Sequence, residues 1–376
     1  MKRIVSVVAA AVIAVILSIG VSAAEQKDFS EIYSEYYDAA GVGEIGGNLD
    51  EETVKVLEKI GADPKNINSE GISAEKIFKE IWERIKNSFT SPVSSLAVVF
   101  FAIVICSAFS AFGKTSVSET ADFAAAVCIC SAAAVPFCSA IASAVEMIKV
   151  CSAFMAAFIP VFCGILLSLG NTAFSASVNA LTFCAAEAVS ALASTVAAPV
   201  SGMYVALSVA SAFSHDLRLS GLVAAVKRAV LWALGIAMTV FSSLLCITGA
   251  VNSSADSLTA RTAKFFLSNS VPVVGGAMTD AVGTVAGCLS VLKSGVGAYG
   301  MCAVILLILP SLVQLLLWKG SFSLMSAAAG IFGRERCREL LCGLSEGAGL
   351  FLSVVVSAAL LFTICLAVMI MGGGNF

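Results

Sequence analysis

The chain has 376 residues, 59% of them hydrophobic and only 12% charged, with a formal net charge of -3 and a mean hydropathy of +0.97. Soluble globular chains carry about 25% charged residues, so most of this chain lacks the charge to hold a solvated surface and needs lipid around it. With no basic stripe there is no nucleic-acid partner to expect, and with no G-x-x-x-x-G-K-[ST] string there is no ATP hydrolysis through a P-loop.

Met1-Lys2-Arg3, the apolar run Ile4 to Val21 and the small residues Ser22-Ala23-Ala24 form a signal-peptide pattern over residues 1–24. The apolar run is long for such a segment, so an uncleaved anchor is the alternative. Either way residue 25 is expected outside the cytoplasm. Residues 25–91 hold most of the charge: from Glu25 to Lys86 lie 15 of the 25 acidic and 8 of the 22 basic residues. They read as a small, acidic, extracytoplasmic domain of three short helices. Asp50 and Gly61 cap the second helix. In the third, Ile77, Ile81 and Ile85 recur at i, i+4 with Trp82 beside them. That apolar face either lies on the bilayer surface or forms the core of the domain.

Residues 92–376 read as an all-α, polytopic membrane domain. About 20 helical residues cross a hydrocarbon core of about 30 Å, which places eight spans near 92–113, 121–145, 150–169, 172–196, 197–214, 229–251, 296–318 and 349–371. Ala, Ser and Gly are abundant in them and allow close helix approach, as at Gly343-xxx-Gly347. Starting outside at residue 91, eight spans leave eight basic residues of the body on the cytoplasmic side and four outside, as the positive-inside rule requires. A ninth crossing at 271–292 would turn Arg334, Arg336 and Arg338 outward, so that stretch is expected to be re-entrant or surface-lying and amphipathic.

All 13 cysteines follow Ala97. Most sit in apolar runs, where free Cys behaves as a small hydrophobe. Cys128-Ile129-Cys130 has no His at zinc spacing, so no metal is expected. Two strings match G-x-G-x-x-G, at Gly41–Gly46 and Gly295–Gly300, but neither follows a strand as a dinucleotide site must. The sole histidine, His215, stands beside Asp216 in a loop and is explained equally well by solvation. No catalytic residue and no cofactor emerge.

Two features remain as candidates for a conduit or for assembly. Glu187 lies mid-span, where an ionised acid costs roughly 2.5–3.5 kcal/mol on insertion scales. It is expected to face the bundle interior or a water-filled path, or to stay protonated; a structural role, hydrogen-bonded to Ser190, Ser194 or Asn179, is the alternative. Glu146 and Asp122 are expected at span ends. The second feature is the segment 259–297, with Arg261 and Lys264, the break at Pro272, Gly275 and Gly276, and the lone acid Asp280. It fits either a broken, re-entrant element of the sort that lines transport pathways or an amphipathic connection.

Thr259-Ala260-Arg261-Thr262-Ala263-Lys264-Phe265, then Val271-Pro272-Val273-Val274-Gly275-Gly276 and Asp280-Ala281-Val282, resemble the stage III sporulation protein AE family of endospore formers, as does the ending Met371-Gly372-Gly373-Gly374-Asn375. The resemblance implies a role in the mother-cell membrane around the forespore, with the 25–91 domain facing the space between the two membranes. It implies as partners the other stage III AA to AH proteins, of which AA is the ATPase, and the forespore protein stage II Q, in a secretion-like complex. The family has no established catalytic residue. Two alternatives stand beside it: a stand-alone secondary transporter using Glu187 and a broken helix, against which no internal repeat is visible, and an assembly scaffold with no conduit.

Overall fold

The computed structural model describes Val42, Gly47, residues 53–55, Leu57 and residues 90–112, 115–213, 220–270 and 275–372. The expected signal peptide, nearly all of the 25–91 domain, the His215 loop and Pro272 lie outside the described residues. What is described from residue 90 onward is helical throughout. The helices are α1 (Thr90–Phe112), α2 (Thr115–Ile129), α3 (Val135–Ser168), α4 (Thr172–Ala191), α5 (Ala198–Phe213), α6 (Ser220–Ser270), α7 (Gly275–Ile331) and α8 (Glu335–Met371).

Two of the expected breaks between spans do not occur. Residues 115–168 form one helical rod, in which the π-helical segment Cys130–Ala134 joins α2 to α3. Residues 172–213 form another, with the π segment Leu192–Ala197 joining α4 to α5. Prolines account for both π segments. A proline cannot donate to the carbonyl four residues back and crowds it; for Pro136 and Pro199 those residues are Ala132 and Thr195, each inside a π segment. The wider turn relieves the clash without ending the helix. Between the expected spans 121–145 and 150–169 stand Glu146-Met147-Ile148-Lys149, which contain no breaker. Among the described residues five helical stretches are long and apolar enough to cross a membrane: Phe123–Ser168, Thr172–Ala210, Ala225–Gly249, Val285–Ile331 and Glu335–Met371, with a shorter apolar stretch at Ser94–Ala108. Eight spans were expected; among the described residues five stretches and the shorter one meet the length and composition of a crossing.

Arg261 and Lys264 lie on the last turns of α6, and residues 275–292 open α7, which continues in one direction to Ile331. The 259–297 block is therefore the end of one long helix and the start of the next.

Two hairpins organise the bundle. In each, a glycine at positive φ closes the first helix, Gly170 (φ 81°) after α3 and Gly333 (φ 68°) after α7. The paired bonds are those of a Schellman turn: Gly170 N to Leu167 O and Asn171 N to Leu166 O, Gly333 N to Gly330 O and Arg334 N to Ala329 O. The core is aromatic. Phe154, Phe158 and Phe162 stack along α3 with centroids 5.6 Å apart, and Phe137 meets Trp318 and Phe322 of α7.

Candidate functional site

Charge and helix register together mark the depth of the bundle. On α7, 25 uncharged residues separate Lys293 from Lys319; on α8, 25 separate Glu346 from Gly372. At 1.5 Å per residue each run covers about 37 Å, enough for a hydrocarbon core of about 30 Å. The ends coincide in space. At one end Lys293, itself buried, donates from Nζ to the carbonyl of Gly372. A cation there satisfies the last carbonyls of α8 and opposes its dipole. Gly372 has no room for a side chain, because the Phe174 ring of α4 lies there. At the other end Lys227 of α6 pairs with Glu346, and Lys319 lays its ammonium over Gly349, where a methyl group would be 2.8 Å from Nζ. Lys227 meets Glu346 and Gly249 meets Val368 with the same separation of 119 residues, so α6 runs parallel to α8.

The remaining helices are placed against this frame by their contacts. Phe137 lies opposite Trp318, Phe158 opposite Gly300 and Phe162 opposite Gly297, which sets α3 antiparallel to α7. A methyl group at Gly300 would lie 2.5 Å from Phe158 Cζ, and one at Gly297 2.5 Å from Ile370 Cγ1 of α8. These glycines of the second G-x-G-x-x-G string are thus packing residues between three helices. Ser152 Oγ donates to Ala186 O at 2.8 Å and Ser175 Oγ to Cys163 O at 3.0 Å, so α4 runs antiparallel to α3. Gly343 and Gly347 of α8 receive Ser208 and Tyr204 of α5. Their small-residue face is an internal helix contact.

By that register Glu187 stands beside Cys151, and Glu146 and Lys149 lie within about 10 Å, along the axis, of the middle of the uncharged run of α7. All three belong to mid-depth. Glu146 was expected at a span end; helix continuity through residues 146–149 moves it inward. It pairs with Lys149 one turn on, at 3.9 Å. None of the three faces the interior. Glu146 is 71% and Lys149 50% exposed, and Glu187 is exposed on α4. Ser194 donates to the Ser190 carbonyl at 2.9 Å. The expected inward-facing Glu187 is replaced by an outward-facing one.

The structure does not bring the sequence candidates together. Arg261 and Lys264 fall past the C-terminal end of α8 by the register of α6, roughly 30 Å along the axis from Glu187. Gly275, Gly276 and Asp280 stand on the opening turns of α7, from about 20 Å (Asp280) to about 27 Å (Gly275) along the axis from Lys293, on that same side of the bundle. Among the described residues no group of three or more His, Cys, Asp or Glu could hold a metal ion. The residues that sequence reasoning passed over are Lys227, Glu346 and Lys293. The equal uncharged runs behind them were countable, but their pairing across helices was not.

A family profile described as stage III sporulation protein AE matches residues 55–373. The chain is also similar to the stage III sporulation protein AE of Bacillus subtilis (strain 168), with 24% identity over 331 residues, 88% of this chain and 82% of that protein. No solved structure matches it.

Proposed function

The chain belongs to the stage III sporulation protein AE family, and from that premise we propose that it is a non-enzymatic, multi-pass membrane component of a secretion or channel complex between mother cell and forespore. The observation that carries this reading is the family match from residue 55 to 373, which takes in all five apolar helices. On this reading the protein works in the mother-cell membrane around the forespore. The 25–91 domain faces the space between the two membranes, and the other stage III proteins and stage II Q are its partners. Energy comes from the partner ATPase, since the chain carries no P-loop string.

In a sporulating host lacking its own copy, this chain is expected to restore heat-resistant spores and to co-purify with the stage III ATPase. Normal sporulation without the chain would overturn the proposal. Glu187→Gln and Asp280→Asn, scored the same way, separate a conduit from a scaffold: full spore yield from both leaves those two positions outside any transport path.

A further inference from the structure

The outer surface of the bundle differs from side to side at one depth. On α6 the large hydrophobic residues exposed between the two charged ends are Trp232, Ile236, Val240, Leu244, Ile247 and Val251, interspersed with small residues such as Ala233, Ala237 and Ser243, a face that lipid tails accept. The α3–α4 hairpin shows something else. Between Val135 and Leu167, α3 exposes no large hydrophobic residue. Its exposed positions include Ala142, Glu146, Lys149 and Ala153, and those of α4 include Ala180, Glu187, Ala188 and Ala191, with Phe183 the one large side chain among them.

The two exposed faces form a single surface. On α3, Ser152 and Cys163 point at α4; at about 100° per residue, Lys149, Ala153 and Glu146 follow them by roughly 60° to 120°. On α4, Ser175 points back at α3, and Glu187 and Ala180 follow the α3-facing side by about the same angle in the same rotational sense. Because the helices are antiparallel, equal rotations seen from each N-terminus open on the same side of the hairpin. One face therefore carries a cation on α3 and an acid on α4 at the same depth. Charges at mid-depth belong against protein or water, not lipid, and small residues beside them let another backbone approach.

We propose that this face is the contact between two copies of the chain, related by a two-fold axis along the membrane normal. Such an axis keeps every residue at its own depth and lays α3 of one copy against α4 of the other. Lys149 then meets Glu187 of the partner subunit, twice, with Glu146 flanking each Lys149. The face is complementary to itself, as an isologous contact requires. The lipid-like face of α6 carries no ionisable residue between its charged ends and would leave these charges unmatched. The proposal rests on the membrane placement of the helices and not on the sporulation role.

The test uses full-length copies with two different tags, co-expressed and extracted in mild detergent. Wild-type copies are expected to co-purify. Lys149→Glu with itself places acids against acids, and Glu187→Lys with itself places lysines against lysines; each is expected to lower co-purification by more than about tenfold, because like charges across an interface repel strongly. A Lys149→Glu copy mixed with a Glu187→Lys copy restores both opposite-charge contacts and is expected to regain wild-type yield. That recovery also shows that both variants fold. Failure of wild-type copies to co-purify, unchanged association in the single variants, or no recovery in the mixed pair would each overturn the proposal. A spore-count defect without any change in association would bear on the proposed function alone.

Discussion

At the scale of single residues, glycine carries much of the specificity, and for reasons of space more than of backbone freedom. Gly300 sits under the ring of Phe158, which is fully buried. Gly300→Ala gains about 1 kcal/mol of helix propensity but forces a methyl group into a filled core, at about 1–3 kcal/mol. The balance is expected to be destabilising. Thermal unfolding in detergent checks it, and Phe158→Leu in the same chain is expected to remove part of the loss by clearing the ring edge. Gly333 is the contrasting case. Nothing lies within 4 Å of a side chain there, but its φ of +68° is left-handed. Gly333→Ala therefore carries backbone strain alone, about 1–2 kcal/mol, and Phe158→Leu is expected to leave that loss unchanged; recovery there as well would contradict the distinction. The sequence read Gly295–Gly300 as no nucleotide site, because no strand precedes it. It could not mark those glycines as the seats of Phe158 and Ile370, because the partners lie on helices far away in the chain.

At the scale of elements, hydropathy located the apolar material but not its joints. Glu146 and Lys149 looked like the rim of two spans, since charges usually end them. The structure carries the helix straight through, because nothing in residues 145–150 breaks it and the i, i+3 ion pair suits a helix. Pro136 and Pro199 are helix breakers by their chemistry; each is absorbed by a π turn. If the π segment exists to relieve Pro199, then Pro199→Ala is expected to leave α4 and α5 continuous and folded, with a change in stability within about 1 kcal/mol. A collapse of folding on that substitution would mean that the proline does more than deform the turn. The Gly343-xxx-Gly347 motif was legible as a close-packing signal. Only the structure shows that α5 of the same chain fills it, through Ser208 and Tyr204, which leaves that surface closed to other partners.

At the scale of the whole molecule, an ion pair at one end of the uncharged runs and a lysine on a backbone carbonyl at the other mark the register of α6, α7 and α8. The Lys227–Glu346 pair is partly exposed, so Glu346→Gln is expected to cost no more than about 1 kcal/mol. Reversing one member, as Lys227→Glu, places acid against acid and is expected to cost more, with recovery when Glu346→Lys accompanies it; a double-mutant cycle on unfolding in detergent measures the coupling. The sequence by itself determined the membrane class, the all-helical architecture, the lack of a P-loop or nucleotide fingerprint and, through the 259–297 block, the family. These follow from composition, periodicity and local strings, which survive in one dimension. Only the tertiary structure decided that residues 115–168 and 172–213 each form one continuous rod, that residues 275–331 form one helix, and that Glu187 looks outward beside Glu146 and Lys149. Hydropathy averages around a helix and so loses its azimuth, while the direction a side chain faces is set by which neighbours pack on the other sides.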